Sequence, residues 1–285
     1  ANLSSFPWLA TAPDTMTLRD GASNRTHPIE GPLLGMLRAV MEIEALADAV
    51  DMAPATVPVL CLLDGSLILW GLSGGAYPDY VRTELLRNRL IPAMRRLEDH
   101  ASRRTLAVAS YISDPRSADV INALRISHSV CKWKEVNCDQ HCGFLSKGER
   151  NCDSVDDVTD ADLFNTLLND GERSKVYRTR SSIVADHYQD QRVGFWYLNA
   201  GTEIARIEMP AWVTENGIDF AHACLLDQNT KGLGYPLALQ EAHEQAVVTG
   251  SDRRVFEHLM LDALKRQRVS EASSEKARSK RTRFI

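Results

Sequence analysis

The chain has 285 residues, 44% of them hydrophobic and 25% charged, a balance that supports a sizeable buried core. A formal net charge of -5 excludes a global basic field of the kind that marks many nucleic-acid binders. The longest apolar run, Val57 to Leu72, is broken by Pro58, Asp64 and Gly65, which excludes a membrane-spanning helix there and leaves one large domain with an insertion as the expectation.

The opening ANLSSFPWLATAP begins with Ala and has neither a basic start nor a signal-type apolar core, so we read the chain as a fragment lacking its own N-terminus. SSFPWLATA reads as a strand, followed by a polar loop through Asn24 to Pro32. LLGMLRAVMEIEALADAV then places Leu34, Leu37, Met41, Leu46 and Val50 near helical spacing, which predicts an amphipathic helix. VPVLCLLD is too apolar for a half-exposed strand and predicts a buried one, implying a layered α/β core. DYVRTELLRNRLIPAMRRLEDHASR reads as helix, with Pro92 opening its second part, and TLAVASYIS as another buried strand.

SADVINALR predicts a further helix. Residues 127–157 then lose all periodicity and hold four of the six cysteines, which marks an irregular insertion. ADLFNTLLNDGERS resumes as a short helix closed by Gly171, and RVGFWYLNAGTEIARIEMPAW reads as strand, turn and strand. LGYPLALQEAHEQAVVTG and SDRRVFEHLMLDALKRQR predict two helices, and residues 268–285 form a basic tail suited either to phosphate contact or to plain solvation.

One aspartate stands inside the apolar run LCLLDGSLILW, where an unpartnered buried carboxylate would cost several kcal/mol, of the order of 2–7 for a polar group and more for a charge. A helix running back along the strand brings Glu42 toward Asp64, and two converging carboxylates make an oxygen-rich site suited to Mg²⁺ or Mn²⁺. The competing reading is that Asp64 caps the turn at Gly65 and Ser66 while Glu42 is solvated. Glu44 faces roughly 200° away from Glu42 on the helix and is set aside. Cys131, Cys138, Cys142 and Cys152 are too irregularly spaced for a zinc ribbon, yet their density suits a structural Zn²⁺ or an iron-sulfur cluster; four free thiols are the alternative. Cys61 and Cys224 lie in apolar runs as packing residues, and Phe195, Trp196, Tyr197 and Trp212 read as core aromatics.

Taken in order, DGSLILWGL, SYISDPRSADVINALR, GERS at 171–174, EIARIEMPAW at 203–212 and GYPLALQEAHE at 234–244 resemble the NurA nuclease family in its bacterial form over nearly the whole chain. The resemblance implies an RNase H-like core, a mixed sheet flanked by helices with the Cys-containing insertion added. It also implies a cytoplasmic Mn²⁺-dependent DNA nuclease that works as a homodimer with a HerA-type hexameric ATPase in end resection and double-strand break repair. Carried over by motif, Arg38 and Glu42 match the family's Arg-x-x-x-Glu helix, Asp64 a later strand end, and Tyr235 and His243 the C-terminal pair. Glu42, Asp64 and His243 are then the expected metal ligands, with Tyr235 beside them.

The family's first-strand aspartate has no match. Asp64 follows Glu42 rather than preceding it, and Asp20 lies in a polar loop. The expectation is that the missing segment carried this ligand, so that the chain alone is weak or inactive. Arg116 and Arg173 are the candidates for phosphate contact, with Arg125 and Arg206 read as salt-bridge residues. The alternative functions are a non-catalytic NurA-like module docked on an ATPase ring, and a ribonuclease on the same core.

Overall fold

The computed structural model describes residues 17–23, 25–127, 130–247, 250, 254–256, 258–259 and 262. The strand expected at SSFPWLATA and the basic tail fall outside these residues, as does most of the final expected helix. The chain divides into two compact units, Ala1–Leu239 and Gln240–Ile285.

Among the described residues of the first unit a hairpin comes first, β1 (Thr17–Arg19) and β2 (Thr26–Pro28), where the sequence predicts only a loop. Helix α1 (Pro32–Met52) follows, then strand β3 (Val59–Asp64). Along α1 the buried residues are Leu33, Met36, Leu37, Val40, Ile43, Ala47 and Val50, whereas Leu34 points outward at 45% exposure. The buried stripe is therefore shifted from the expected one, because Leu33, Met36 and Val40 share a three-to-four-residue spacing that Leu34 does not complete.

The crossover from β3 to its parallel neighbour β4 (Leu106–Ile112) is one long helical passage: α2 (Asp79–Arg82), a π-helical stretch over Thr83–Leu90, and α3 (Ile91–Ala101). Pro92 accounts for the break. It has no N–H to offer the carbonyl four residues back, and its ring crowds that carbonyl, so the ladder widens ahead of it and Ile91 N–H donates to Leu86 O.

After α4 (Asp119–Arg125) the insertion is irregular apart from the short α5 (Cys138–Cys142) and a 3₁₀ turn at Asn151–Val155. Helix α6 (Asp160–Leu167) is closed at its start by a Thr159–Asp162 capping box. The short β5 (Tyr177–Arg178) and α7 (Ser182–His187) lead into the hairpin β6 (Val193–Asn199) and β7 (Ile204–Pro210). Helix α8 (Glu215–Lys231) and α9 (Leu237–Ala246) follow.

Five strands form a mixed sheet in the order β3-β4-β7-β6-β5, with β3 and β4 parallel and the other pairs antiparallel. Alternation along the strands decides what each face meets. Cys61, Leu63, Leu106 and Val108 pack with α1 and α3 on one face, while Leu60, Leu62, Ala107, Ala109 and Tyr111 pack with α8 on the other. Both faces of the sheet are covered, which explains why β3, β4, β6 and β7 read as continuous apolar runs. Strand β3 lies at the sheet edge, and its C-terminal end is where Asp64 emerges.

Candidate active site

Asp64 is the last residue of β3 and is exposed. Its carboxylate does not cap the turn that follows. The turn is held from across the sheet: Glu208 Oε2 accepts from Ser66 Oγ at 2.7 Å and from the Leu67 N–H at 3.0 Å. Gly65 sits at φ 99°, in the left-handed region that favours glycine, and donates its N–H to Tyr111 O at 3.0 Å. The turn is thus complete without the aspartate, whose Oδ1 instead accepts a hydrogen bond from Tyr235 Oη at 3.1 Å.

Tyr235 reaches Asp64 from the loop between α8 and α9. Gly232 permits this: a Cβ there would lie 1.9 Å from the Tyr235 carbonyl oxygen, so only glycine allows the chain to fold back so tightly. The Tyr235 ring packs edge-to-face on Tyr111 with centroids 5.4 Å apart. Burial, followed by the neighbouring Asp64 charge, pushes the Tyr235 phenol well above its ordinary pKa, so it stays protonated and continues to donate.

Glu42 approaches from α1, on the opposite face of the sheet from the side that Leu60 and Leu62 share with Asp64. Helix α1 and Asp64 thus lie on opposite faces of the sheet at its β3 edge, not on one side as the sequence suggests. The two carboxyls interact: the Glu42 pKa is raised, chiefly by burial and further by the Asp64 charge, with Arg38 opposing the rise. Arg38 Nε lies 3.3 Å from Glu42 Oε1, as the i, i+4 spacing requires.

A further carboxylate, overlooked in the sequence reading, belongs to this end of the sheet. Glu203 closes the β6–β7 turn, and its oxygens accept from Tyr111 Oη at 2.9 Å, Ser113 Oγ at 2.5 Å and the Asp114 N–H at 3.2 Å. Its charge also bears on Tyr235. Asp114 adopts φ 45°, a conformation uncommon outside glycine. The available signal was the tight Asn-Ala-Gly-Thr-Glu turn opposite the end of a buried strand; nothing in its periodicity distinguishes Glu203 from a solvated hairpin residue.

Behind the turn lies a buried charge network. Arg206 Nε lies 3.1 Å from Glu208 Oε1 with side-chain exposures of 3% and 1%, and Arg206 Nη1 lies 2.6 Å from Asp119 Oδ2. The guanidinium carbon sits 3.8 Å from the Phe195 ring centroid. Burial outweighs these partners at Glu208 and raises its pKa. The pairing of Arg206 with Glu208 is as read from the sequence. Phe195, Trp196 and Tyr197 are buried core aromatics, and Trp212 is half-buried.

The remaining expected site residues have these surroundings. Arg173 is committed to Glu215 at 3.3 Å and Asp219 at 2.8 Å, not to its sequence neighbours Glu172 or Asp170. Arg125 pairs with Asp156 at 3.3 Å. Arg116 is exposed beside the turn after β4. His243 is exposed on α9, in the second unit. Asp20 caps its own hairpin turn, accepting from the Ala22 N–H at 3.0 Å and Ser23 Oγ at 2.6 Å, and a short strand does precede it. Glu44 forms a two-pronged pair with Arg89 at 2.8 and 2.6 Å.

All six cysteines are free thiols; Cys61 is buried with its pKa pushed up to about 12, and Cys224 is half-buried. Among the described residues no three His, Cys, Asp or Glu side chains are grouped as a ligand set. What the chain does present is a pair. Glu42 and Asp64 are both oxygen donors; the Asp64 charge raises the Glu42 pKa, and the Arg38 guanidinium, a larger influence, lowers it. The donor chemistry therefore fits Mg²⁺ or Mn²⁺.

Comparison with known proteins adds three findings. A family model described as the NurA domain matches residues 18–248. The crystal structure of the NurA nuclease from Sulfolobus solfataricus aligns with 88% of this chain and 73% of its own, at 13% identity and a TM-score of 0.45. No curated protein matches.

Proposed function

Because the chain belongs to the NurA domain family, we propose that it hydrolyses phosphodiester bonds in DNA with a divalent cation, Mn²⁺ or Mg²⁺, held by Glu42 and Asp64. The observation that carries this reading is the Tyr235–Asp64 hydrogen bond at the exposed end of β3, with the Glu42 carboxyl electrostatically coupled to the same aspartate. A turn residue has no need of such surroundings.

The bound ion would stabilise charge on the scissile phosphate and favour an attacking hydroxide from water. The protein's own residues prepare for this. Tyr235, kept protonated, ties down one oxygen of Asp64 and so orients the other toward an incoming ligand. Glu42 must lose its proton to coordinate a metal, so its raised pKa makes cation affinity climb with pH through its titration. Glu208 keeps the Asp64–Ser66 turn rigid through two hydrogen bonds. Arg116, exposed nearby, supplies a guanidinium fork for the DNA backbone.

On the family resemblance alone, we assign a HerA-type hexameric ATPase and a second copy of the chain as partners, with end resection in double-strand break repair as the setting. No helix among the described residues is long and apolar enough to cross a membrane. The test is a cleavage time course on linear DNA and on matched RNA, with Mn²⁺ or with EDTA, in the presence and absence of the ATPase. Metal-dependent loss of DNA supports the proposal. Loss of RNA with intact DNA makes the protein a ribonuclease, and stable docking on the ATPase with neither substrate cut makes it an assembly module.

A further inference from the structure

Beside the candidate site lies a cleft of about 320 Å³ that the two-carboxylate mechanism does not use; Ser66, two residues after Asp64, forms part of its wall. Its apolar surface comes from Trp70, Ile112 and Pro115, and its polar end from Asp119 and Arg206. Trp70 is 44% exposed. Its indole is nonetheless held, because Nε1–H donates to Ser66 Oγ at 3.1 Å, and that hydroxyl in turn donates to Glu208. An exposed aromatic face is therefore fixed in position by the same turn that carries Asp64.

At the other end of the cleft, Arg206 is 2% exposed and leaves its Nη2 buried without a hydrogen-bond partner. Arg116 stands on the rim, exposed. An exposed indole held in place, apolar walls and a cationic rim together suit a heteroaromatic ring attached to a phosphate.

We propose that this cleft binds a nucleobase of single-stranded DNA next to the scissile phosphate, with Trp70 stacking on the base and Arg116 contacting its phosphate. The inference rests on the nuclease reading and deepens it by giving Trp70 the role of holding the base that flanks the cleavage point. Base–aromatic stacking tolerates any sequence, because every base has a π-face, and its loss weakens binding by about 5- to 150-fold.

The test is fluorescence anisotropy in EDTA, where nothing is cut, using a labelled deoxythymidine oligonucleotide and the same length of abasic strand. The wild-type protein should bind the abasic strand about 5- to 150-fold more weakly. Trp70→Ala should bind both strands with the same weak affinity, and Trp70→Phe should keep most of the difference. Arg116→Ala should weaken both strands alike and flatten the salt dependence. Equal affinity of the wild-type protein for the base-bearing and abasic strands overturns the proposal without requiring any variant to fold. If that result accompanies metal-dependent DNA cleavage, the nuclease reading stands and only the base cleft falls. A wild-type protein that binds neither strand and cuts no DNA removes both.

Discussion

At the scale of single residues, the account turns on two carboxyls and the groups that hold them. If Asp64 raises the Glu42 pKa through its charge, Asp64→Asn should lower it, and carboxyl-detected NMR titration of both proteins reads the shift directly. The sign for stability follows. A carboxyl whose folded pKa lies above its unfolded value binds more protons when folded, so it erodes stability as pH rises between those two values. Removing the Asp64 charge should flatten that slope. Glu208 makes a larger demand: Glu208→Ala leaves Arg206 charged and buried and strips the acceptor from Ser66 and Leu67, a loss of about 3–5 kcal/mol in denaturant unfolding. Glu208→Gln, which keeps an acceptor oxygen, should lose less. Asp64 is visible in the sequence because a charge in an apolar strand asks for a reason. Glu203 is not, since it resembles a solvated hairpin residue; at Glu208 the pairing with Arg206 is legible, but the burial of that pair is not.

At the scale of elements, readability follows the chemistry of each segment. Strands β3, β4, β6 and β7 are apparent because both sheet faces are covered, which makes their runs apolar throughout. Helix α8 escapes a search for hydrophobic period because its buried residues are Gly217, Ile218, Ala221, Leu225 and Asn229, only two of them large and apolar. The π-helical stretch is hidden for another reason: Pro92 signals a break, but not that the ladder widens ahead of it. The loop after α8 provides an element-scale prediction. Gly232→Ala sets a Cβ against the Tyr235 carbonyl, so the loop must open and Tyr235 must leave Asp64. The expected outcome is a loss of about 1–3 kcal/mol in unfolding, together with weaker Mn²⁺ binding by calorimetry. Unchanged metal affinity in a folded Gly232→Ala protein would show that Tyr235 does not orient the aspartate.

At the scale of the whole molecule, the ordered series of short motifs from Asp64 to Glu244 carries more information than any one of them, and the family match over residues 18–248 spans the same stretch. Motif order survives where individual ligands do not announce themselves, because the sheet, its edge strand and the tyrosine loop must all be present for Asp64 to have its surroundings. The central claim is that Asp64 is a metal ligand of a DNA nuclease. The most direct measurement compares the initial rate of Mn²⁺-dependent cleavage of linear DNA by the full-length protein and by its Asp64→Asn variant, with thermal unfolding recorded for both. The exposed Asn keeps the size of the side chain and removes the charge that binds the ion, so the account predicts a fall in rate of at least about 100-fold with little change in unfolding temperature. Equal cleavage rates for the two folded proteins would contradict it.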